Sequence, residues 1–129
     1  MRVRLLAALA VPLALAATPA LAGAIRPFST ASFQAAQRAG HPVLVDVHAD
    51  WCPTCRAQAP TIAELGRDPA YARLDIFVLD YDAQKNERLA LGVQRQSTLI
   101  AYRGTAERSR ATGVVDRGQI RALAQTALR

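Results

Sequence analysis

The order of apolar and polar positions divides the chain into short predicted strands and helices. Three runs of β-branched and apolar residues are typical of buried strands, and a more polar run after the third predicts an antiparallel edge strand. Periodic apolar positions around these runs predict four helices. The predicted strands are 42–48, 74–79, 98–102 and 106–112, and the predicted helices are 30–38, 52–65, 83–91 and 118–128.

This order of elements, α, β, α, β, α, β, β, α, predicts the fold class. A parallel βαβ unit comes first, and a β-hairpin with a closing helix follows it. We therefore expect an α/β protein with three layers, in which a central mixed sheet lies between two layers of helices.

Capping residues support the predicted helix ends. Ser29 or Thr30 is the expected N-cap of the first helix and Gly40 its stop signal, while Asp116 is expected to cap the last helix. Pro60 falls inside the second predicted helix, where it predicts a kink.

The first 22 residues follow a different pattern from the rest of the chain. Two arginines precede an apolar stretch over 5–17 and an Ala-x-Ala ending at Ala22, which together are typical of a secretory signal peptide. We expect cleavage after Ala22, with Ala24 as the alternative position. An uncleaved membrane anchor is the other interpretation, but the stretch is shorter than the roughly 20 residues of a spanning helix. The predicted organisation is a signal peptide over 1–22 and one domain over 23–129, exported to the periplasm.

Composition and charge exclude several classes of function. The chain carries 16 basic and 10 acidic residues, a net charge of +6 that falls to about +4 when the two arginines of the signal are removed. The basic residues form no run and are not interleaved with aromatic residues, so we expect no nucleic-acid binding. The sequence also has no glycine-rich phosphate loop and no dinucleotide fingerprint, so we expect no organic cofactor.

The chain has two cysteines, Cys52 and Cys55. A structural disulfide over so short a loop would constrain little of the unfolded chain, so the spacing favours redox chemistry. Two thiols do not complete a structural zinc site. A predicted strand runs into the pair and a helix begins there, so the helix N-terminus stabilises the thiolate of Cys52. We expect Cys52 to attack a disulfide and Cys55 to resolve the mixed disulfide.

Two further side chains near this pair are candidates for proton chemistry. Asp46 interrupts a predicted buried strand, where a carboxylate is unfavourable unless it is paired or used. It could accept the proton of Cys55; the alternative is a solvated position at the strand edge. His48 could act as a base, tune Cys52, or bind a metal beside the thiols, but a packed or surface role is the alternative. Trp51 could form an apolar contact surface for partners.

Further matching segments lie along most of residues 30–129, and together with the C-x-x-C loop they resemble the thioredoxin family. The resemblance implies a thioredoxin-like three-layer α/β/α fold, with Cys52 as nucleophile, Cys55 as resolving thiol and Asp46 as buried acid. The matching segments are Val45-Asp46, Ala49, Trp51, Pro60, Val78 to Asp82, Gly92-Val93, Ser97-Thr98-Leu99 and Gly113 to Ile120. The expected substrate-binding residues are Trp51, Pro53, Thr54, Ser97 and Thr98.

Two positions depart from the family pattern. His48 replaces a usual aromatic residue, and Ser97 stands where the family has a cis-proline facing the active site. A cis bond before serine would cost about 2.5–4 kcal/mol, against roughly 0.5–1 kcal/mol before proline. We therefore predict a trans or strained bond between Gln96 and Ser97, with the Ser97 hydroxyl close to a cysteine sulfur. The alternative is a loop residue and an alignment that is wrong by one position.

The motif does not fix the direction of electron flow, because thiol–disulfide exchange is reversible. We expect a monomeric reductase of protein disulfides in the cell envelope, recharged by a membrane-embedded thiol reductant and serving redox homeostasis. The Trp-Cys-Pro-Thr-Cys-Arg loop is similar to that of exported reductants in cytochrome c maturation. Two alternatives stay open: a disulfide-donating oxidase or isomerase, and a non-enzymatic binding or metal-carrying module.

Overall fold

The structure is a computed structural model that describes residues 24–129. The predicted signal peptide lies outside these residues. Five strands, four α-helices and two short 3₁₀ turns make up the described chain. The strands are β1 Ile25–Pro27, β2 Pro42–His48, β3 Asp75–Asp80, β4 Thr98–Arg103 and β5 Ala106–Thr112, and the helices are α1 Thr30–Arg38, α2 Pro53–Arg67, α3 Lys85–Ala90 and α4 Arg117–Gln125.

The strands form one mixed sheet in the order β1-β3-β2-β4-β5. Strands β1, β3 and β2 are parallel, while β4 runs antiparallel to both β2 and β5. The predicted βαβ unit is therefore β2-α2-β3, and the predicted hairpin is β4-β5 with β5 at the edge. This arrangement places the end of β2, from which the cysteine loop departs, in the middle of the sheet.

Strand β2 is buried on both faces because helices cover each side of the sheet. On one face Val43, Val45 and Val47 belong to a core cluster that includes Phe33 of α1. On the other face Leu44 belongs to a second cluster that includes residues of α2 and α4. Side chains alternate between the faces of a strand, so Asp46 lies on the same face as Leu44. The predicted three-layer arrangement is confirmed.

Local capping accounts for most of the helix boundaries. The Ser29 side chain accepts a hydrogen bond from the amide of Ser32, and Asp116 accepts one from Gln119, as expected of N-caps. Helix α2 continues through Pro60. The last predicted helix ends earlier than 128, because Thr126–Leu128 forms a 3₁₀ turn.

Some elements differ from the sequence-based expectations. Strand β1 and a 3₁₀ turn over Pro69–Tyr71 were not predicted. Strand β1 has three residues and a proline, so its extended form depends on pairing with β3 rather than on a local pattern. Helix α3 is shorter than predicted. No helix within residues 24–129 has both the length and the apolar character that crossing a membrane requires.

Candidate active site

The cysteine loop is built by the turn that leaves β2 and by the first turn of α2. The amide of Cys52 donates to the carbonyl of Ala49 (3.1 Å), and Pro53 is the first residue of α2. Cys52 is the N-cap of α2, where its sulfur accepts a hydrogen bond from the amide of Cys55 at 3.1 Å. Cys52 therefore lies at a helix N-terminus, as predicted. Proline at the first helical position is favourable, because its missing N–H would be unpaired there.

The environments of the two thiols move their pKa values in opposite directions. Burial is the largest single influence on the pKa of Cys52, whose residue is only 1% exposed, and it raises that pKa, but a set of hydrogen bonds led by one from the Cys55 thiol together outweighs it. The other bonds of this set come from the amides of Cys55 and Thr54 and from the Gln96 side chain, so the net shift of the Cys52 pKa is downward. Burial, and then the bond with Cys52, raises the pKa of Cys55 to about 11.

These opposite pKa shifts give the two sulfurs different roles. A lowered pKa increases the thiolate fraction of Cys52, and the thiolate is the nucleophile. The thiol of Cys55 lies 4.0 Å from the carbonyl oxygen of Val47 and stays protonated at neutral pH. A base is therefore needed before Cys55 can attack, as the resolving step requires.

Asp46 is buried in the interface between α2 and the sheet. Its residue is 4% exposed, and its Oδ1 atom has no hydrogen-bond partner among the residues described. Burial raises the pKa of Asp46 to about 6, although attraction to His48 opposes part of this shift. The alternative of a solvated strand edge is therefore wrong. Cys55 lies on the buried side of α2, so both groups occupy the same helix–sheet interface.

His48 is the last residue of β2 and lies between this interior and the surface. Its Nε2 atom is 3.2 Å from Oδ1 of Asp50, whose side chain is fully exposed. A groove of about 560 Å³ opens beside it and is lined in part by Trp51 and Ile25. The His48 side chain is 23% exposed, which makes it a half-buried group at the inner wall of this groove.

The predicted substrate-contact residues fall into two sets. Trp51 is 55% exposed and is held by a hydrogen bond from its indole N–H to Asp82 (2.8 Å), Pro53 is exposed, and Thr54 is half-buried. Ser97 and Thr98 are buried. The Thr98 hydroxyl lies 2.8 Å from the hydroxyl of Thr112 and also donates to the carbonyl of Arg95, so it is engaged within the protein. Substrate contact at all five residues stays a prediction.

Ser97 is adjacent to the end of β2. Its amide donates to the carbonyl of Val47 at 2.8 Å. The bond between Gln96 and Ser97 is trans, and Ser97 has a φ of 56°, in the left-handed region that non-glycine residues rarely occupy. The predicted trans or strained backbone is confirmed. The predicted contact of its hydroxyl with a cysteine sulfur is wrong, because that hydroxyl donates to the carbonyl of Gln96 (2.6 Å).

Gln58 supports the site and was missed by the sequence analysis. Its residue is fully buried, and its amide donates to the carbonyls of Ser97 (3.2 Å) and Val114 (2.8 Å). These hydrogen bonds hold α2 against the segments that contain Ser97 and Val114. A signal existed, because Gln58 falls on the same helical stripe as Cys55 and Ile62, where the pattern otherwise requires small or apolar residues. Within residues 24–129 no cluster of three or more His, Cys, Asp or Glu residues is placed to hold a metal.

Comparison with known proteins assigns this arrangement to a family. A family model described as Thioredoxin matches residues 24–126, nearly all of the described chain. The chain belongs to the thioredoxin family. It is 30% identical over 87 residues to putative thioredoxin-5 from Dictyostelium discoideum, covering 67% of this chain and 83% of that protein. It is 32% identical over 78 residues to a thioredoxin from Chlamydia muridarum, covering 60% of this chain and 74% of that one.

A solved structure agrees with this assignment to the thioredoxin family. Trxlp from Edwardsiella tarda EIB202 is similar with a TM-score of 0.74 and 40% sequence identity, covering 78% of this chain and 98% of that chain. The predicted family and thioredoxin fold are therefore confirmed. The chain is a thioredoxin-like oxidoreductase with a nearby cysteine pair, in a family whose members act on protein disulfides.

Proposed function

We propose that this thioredoxin-like protein is exported and reduces protein disulfides in the cell envelope, drawing electrons from a membrane-embedded thiol reductant. The observation that carries the proposal is the opposite tuning of the two thiols: Cys52 has a lowered pKa at a helix N-terminus, and Cys55 has a pKa of about 11. A pure binding module needs no such difference.

The reaction follows from this tuning in two steps. The Cys52 thiolate attacks one sulfur of the substrate disulfide, forming a mixed disulfide and releasing the first substrate thiol after it takes up a proton. Asp46 then accepts the proton of Cys55, and the Cys55 sulfur attacks Sγ of Cys52. The bond between Cys52 and the substrate breaks, its electron pair leaves on the second substrate sulfur, and the disulfide of Cys52 and Cys55 remains.

The compact fold supports the reductive direction. Between β2 and β3 the described chain has α2 and one 3₁₀ turn, without the inserted helical domain that dedicated oxidases of this superfamily usually carry. The pattern of residues 1–22 supports export. Substrates in cytochrome c maturation stay a prediction, based on the likeness of the Trp-Cys-Pro-Thr-Cys-Arg loop.

The test is the equilibrium reduction potential of the Cys52–Cys55 disulfide in glutathione and thioredoxin buffers. We expect a value near the roughly −270 mV of thioredoxin, which would fit a reductase. A value near the roughly −120 mV of a strong oxidant would instead make the protein a disulfide donor. Failure to form an intramolecular disulfide would favour a binding or metal-carrying module. Recovery of a periplasmic form that begins at Gly23 would test export.

A further inference from the structure

A buried proton acceptor works repeatedly only if its proton can reach solvent. Asp46 is covered by α2 on one side, and its Oδ1 atom is buried and unpartnered among the residues described. Ala59 and Ile62 of α2 and Val78 of β3 surround it with apolar atoms. After each resolving step Asp46 holds the proton taken from Cys55, which must pass to a neighbouring group or to water before the next cycle.

Two cavities meet at His48. A smaller pocket of about 190 Å³, which also opens to the surface beside the exposed Ala59, is lined by Asp46 and His48, and these are its polar side chains. The larger groove of about 560 Å³, which opens beside Trp51, is lined by His48 and Asp50 but not by Asp46. His48 therefore lines both pockets: it shares the smaller one with Asp46 and the larger one with the exposed Asp50.

Strand geometry fixes this arrangement. Residues two apart on a strand point to the same face, and their Cα atoms are about 6.6 Å apart. Asp46 and His48 satisfy this relation within β2, so both side chains are on the same face of the strand, where they line one pocket. Asp50 follows two residues later, after the strand ends, and its Oδ1 is 3.2 Å from Nε2 of His48.

We propose that His48 passes the proton of Asp46 to solvent in the resolving half-reaction, with Asp50 receiving it at the surface. This inference rests on the proposed function, because it concerns the same dithiol. In the step, Asp46 takes the proton of Cys55 and transfers it to the imidazole, and the ring releases a proton from its other nitrogen toward Asp50 and water. The carboxylate of Asp46 is then restored, and the protein carries no additional proton.

Acidic side chains predominate around His48. The charged side chains that line the two cavities with it are Asp46, Asp50, Asp80, Asp82 and Arg26. Acidic groups outnumber the single arginine in this lining, so the two pockets offer a proton carboxylate acceptors on either side of His48. His48 is thus a positioning and proton-passing residue that acts through Asp46 and does not contact the reacting sulfurs.

The test measures formation and decay of the mixed disulfide with an insulin-type substrate, by acid quench and mass spectrometry. For His48→Ala we expect an unchanged formation rate and a decay rate lowered about 10-fold, less than the 10²–10⁴-fold of a group that acts directly. Imidazole in solution should restore the decay rate, because the groove beside Trp51 opens to solvent. His48→Gln, which fills the site but has no basic nitrogen to accept a proton, should be equally slow.

Two matched variants test whether the slow decay is specific to His48 acting through Asp46. His41→Ala removes the other histidine of the described chain, which lies at the opposite end of β2, and should leave both rates unchanged. Combining His48→Ala with Asp46→Asn should be no slower than Asp46→Asn alone, because the two residues share one route.

Three outcomes would overturn the role of His48 while leaving the proposed function intact. They are a wild-type decay rate in His48→Ala, a slow decay that imidazole does not accelerate, and a loss that multiplies with that of Asp46→Asn. A wild-type protein that forms no mixed disulfide would overturn the proposed function and this inference together.

Discussion

Strand β2 has a histidine and a buried aspartate near each of its ends, and the two pairs behave differently. At the start of the strand, His41 Nδ1 lies 2.8 Å from Oδ2 of Asp75, and Arg26 donates to Oδ1 of the same carboxylate at 2.8 Å. At the end of the strand, Asp46 has one carboxylate oxygen without a partner, and His48 contacts Asp50 instead.

The two aspartates are equally buried, at 3% exposure for Asp75 and 4% for Asp46. Burial therefore does not distinguish a structural carboxylate from a reactive one. Asp75 has a hydrogen-bond partner on each oxygen, Arg26 on Oδ1 and His41 on Oδ2, and these partners hold the carboxylate in place. Asp46 lacks such donors, so burial raises its pKa to about 6 and leaves it able to take up a proton near neutral pH.

The largest expected effect is at the end of β2 from which the cysteine loop departs. Cys52→Ser should abolish reduction of insulin-type disulfides, because a serine hydroxyl is not a comparable nucleophile at neutral pH. The helix should survive, since serine is a favourable N-cap and can accept from the amide of Cys55 as the sulfur does. Activity and thermal unfolding should be measured together.

The control for Cys52→Ser is Cys55→Ser, which should still attack and should accumulate the mixed disulfide. His41→Gln at the opposite end should retain full activity. Residual turnover in Cys52→Ser above the uncatalysed rate would contradict the assignment of Cys52 as nucleophile.

The second prediction is that the same substitution has opposite effects on stability at the two ends. Asp46→Asn should stabilise the protein at pH 7 by about 2 kcal/mol, because it removes a buried carboxylate whose pKa is raised by about two units. Asp75→Asn should destabilise by about 1–2 kcal/mol, since it weakens bonds from Arg26 and His41, which are themselves partly exposed. Urea unfolding of the reduced proteins measures both.

The pH dependence of the stability of Asp46→Asn relative to wild type tests whether the buried carboxylate is the cause of the difference. The folded-state pKa of Asp46, about 6, exceeds its usual 3.8, so ionisation destabilises the native state above pH 6. This destabilisation is present at pH 7 and disappears as the pH falls through 6 toward 4. The advantage of Asp46→Asn over wild type should therefore shrink over that interval. An Asp46→Asn protein that is less stable than wild type at pH 7 would show that Asp46 is paired like Asp75.

The smallest expected effect concerns backbone strain at Ser97 and Gly104, which lie near opposite ends of β2. Ser97 and Gly104 have the same φ of 56°, but only the second is a glycine. Ser97→Gly should stabilise the protein by about 0.5–1 kcal/mol, because the left-handed region disfavours a side chain. Gly104→Ser should destabilise by more than that, since an added Cβ would lie 3.3 Å from the carbonyl oxygen of Gln37. Thermal melts compare the pair, and a lower melting temperature for Ser97→Gly would show that the hydroxyl bond to Gln96 outweighs the strain.

Much of the fold was predictable because its signals are local. The helix α1 was predicted at its observed bounds from an apolar pattern and a capping serine, and β2 from an uninterrupted apolar run. Strand β1 could not be predicted, because three residues that include a proline have no strand pattern of their own. They become a strand through pairing with β3, about fifty residues away in the chain.

The residues of the site likewise divide into those with a local sequence signal and those without one. Asp46 stood out as a charge in an apolar strand, but Asp75, at the boundary of its strand, did not. Gln58 was overlooked although its position on the apolar stripe of α2 was a signal, since a polar residue there is buried only if it finds acceptors. Those acceptors, the carbonyls of Ser97 and Val114, lie 39 and 56 residues away.

The sequence by itself determined the order of the elements and the place of Cys52 at the start of α2, because helix periodicity, caps and a C-x-x-C spacing act over a few residues. Only the tertiary structure decided which carboxylates are paired, where Ser97 meets the end of β2, and that His48 lines one pocket with Asp46 and another with Asp50. Each of these depends on contacts between distant segments, and the free energy of a buried charge is set by the donors that folding brings to it.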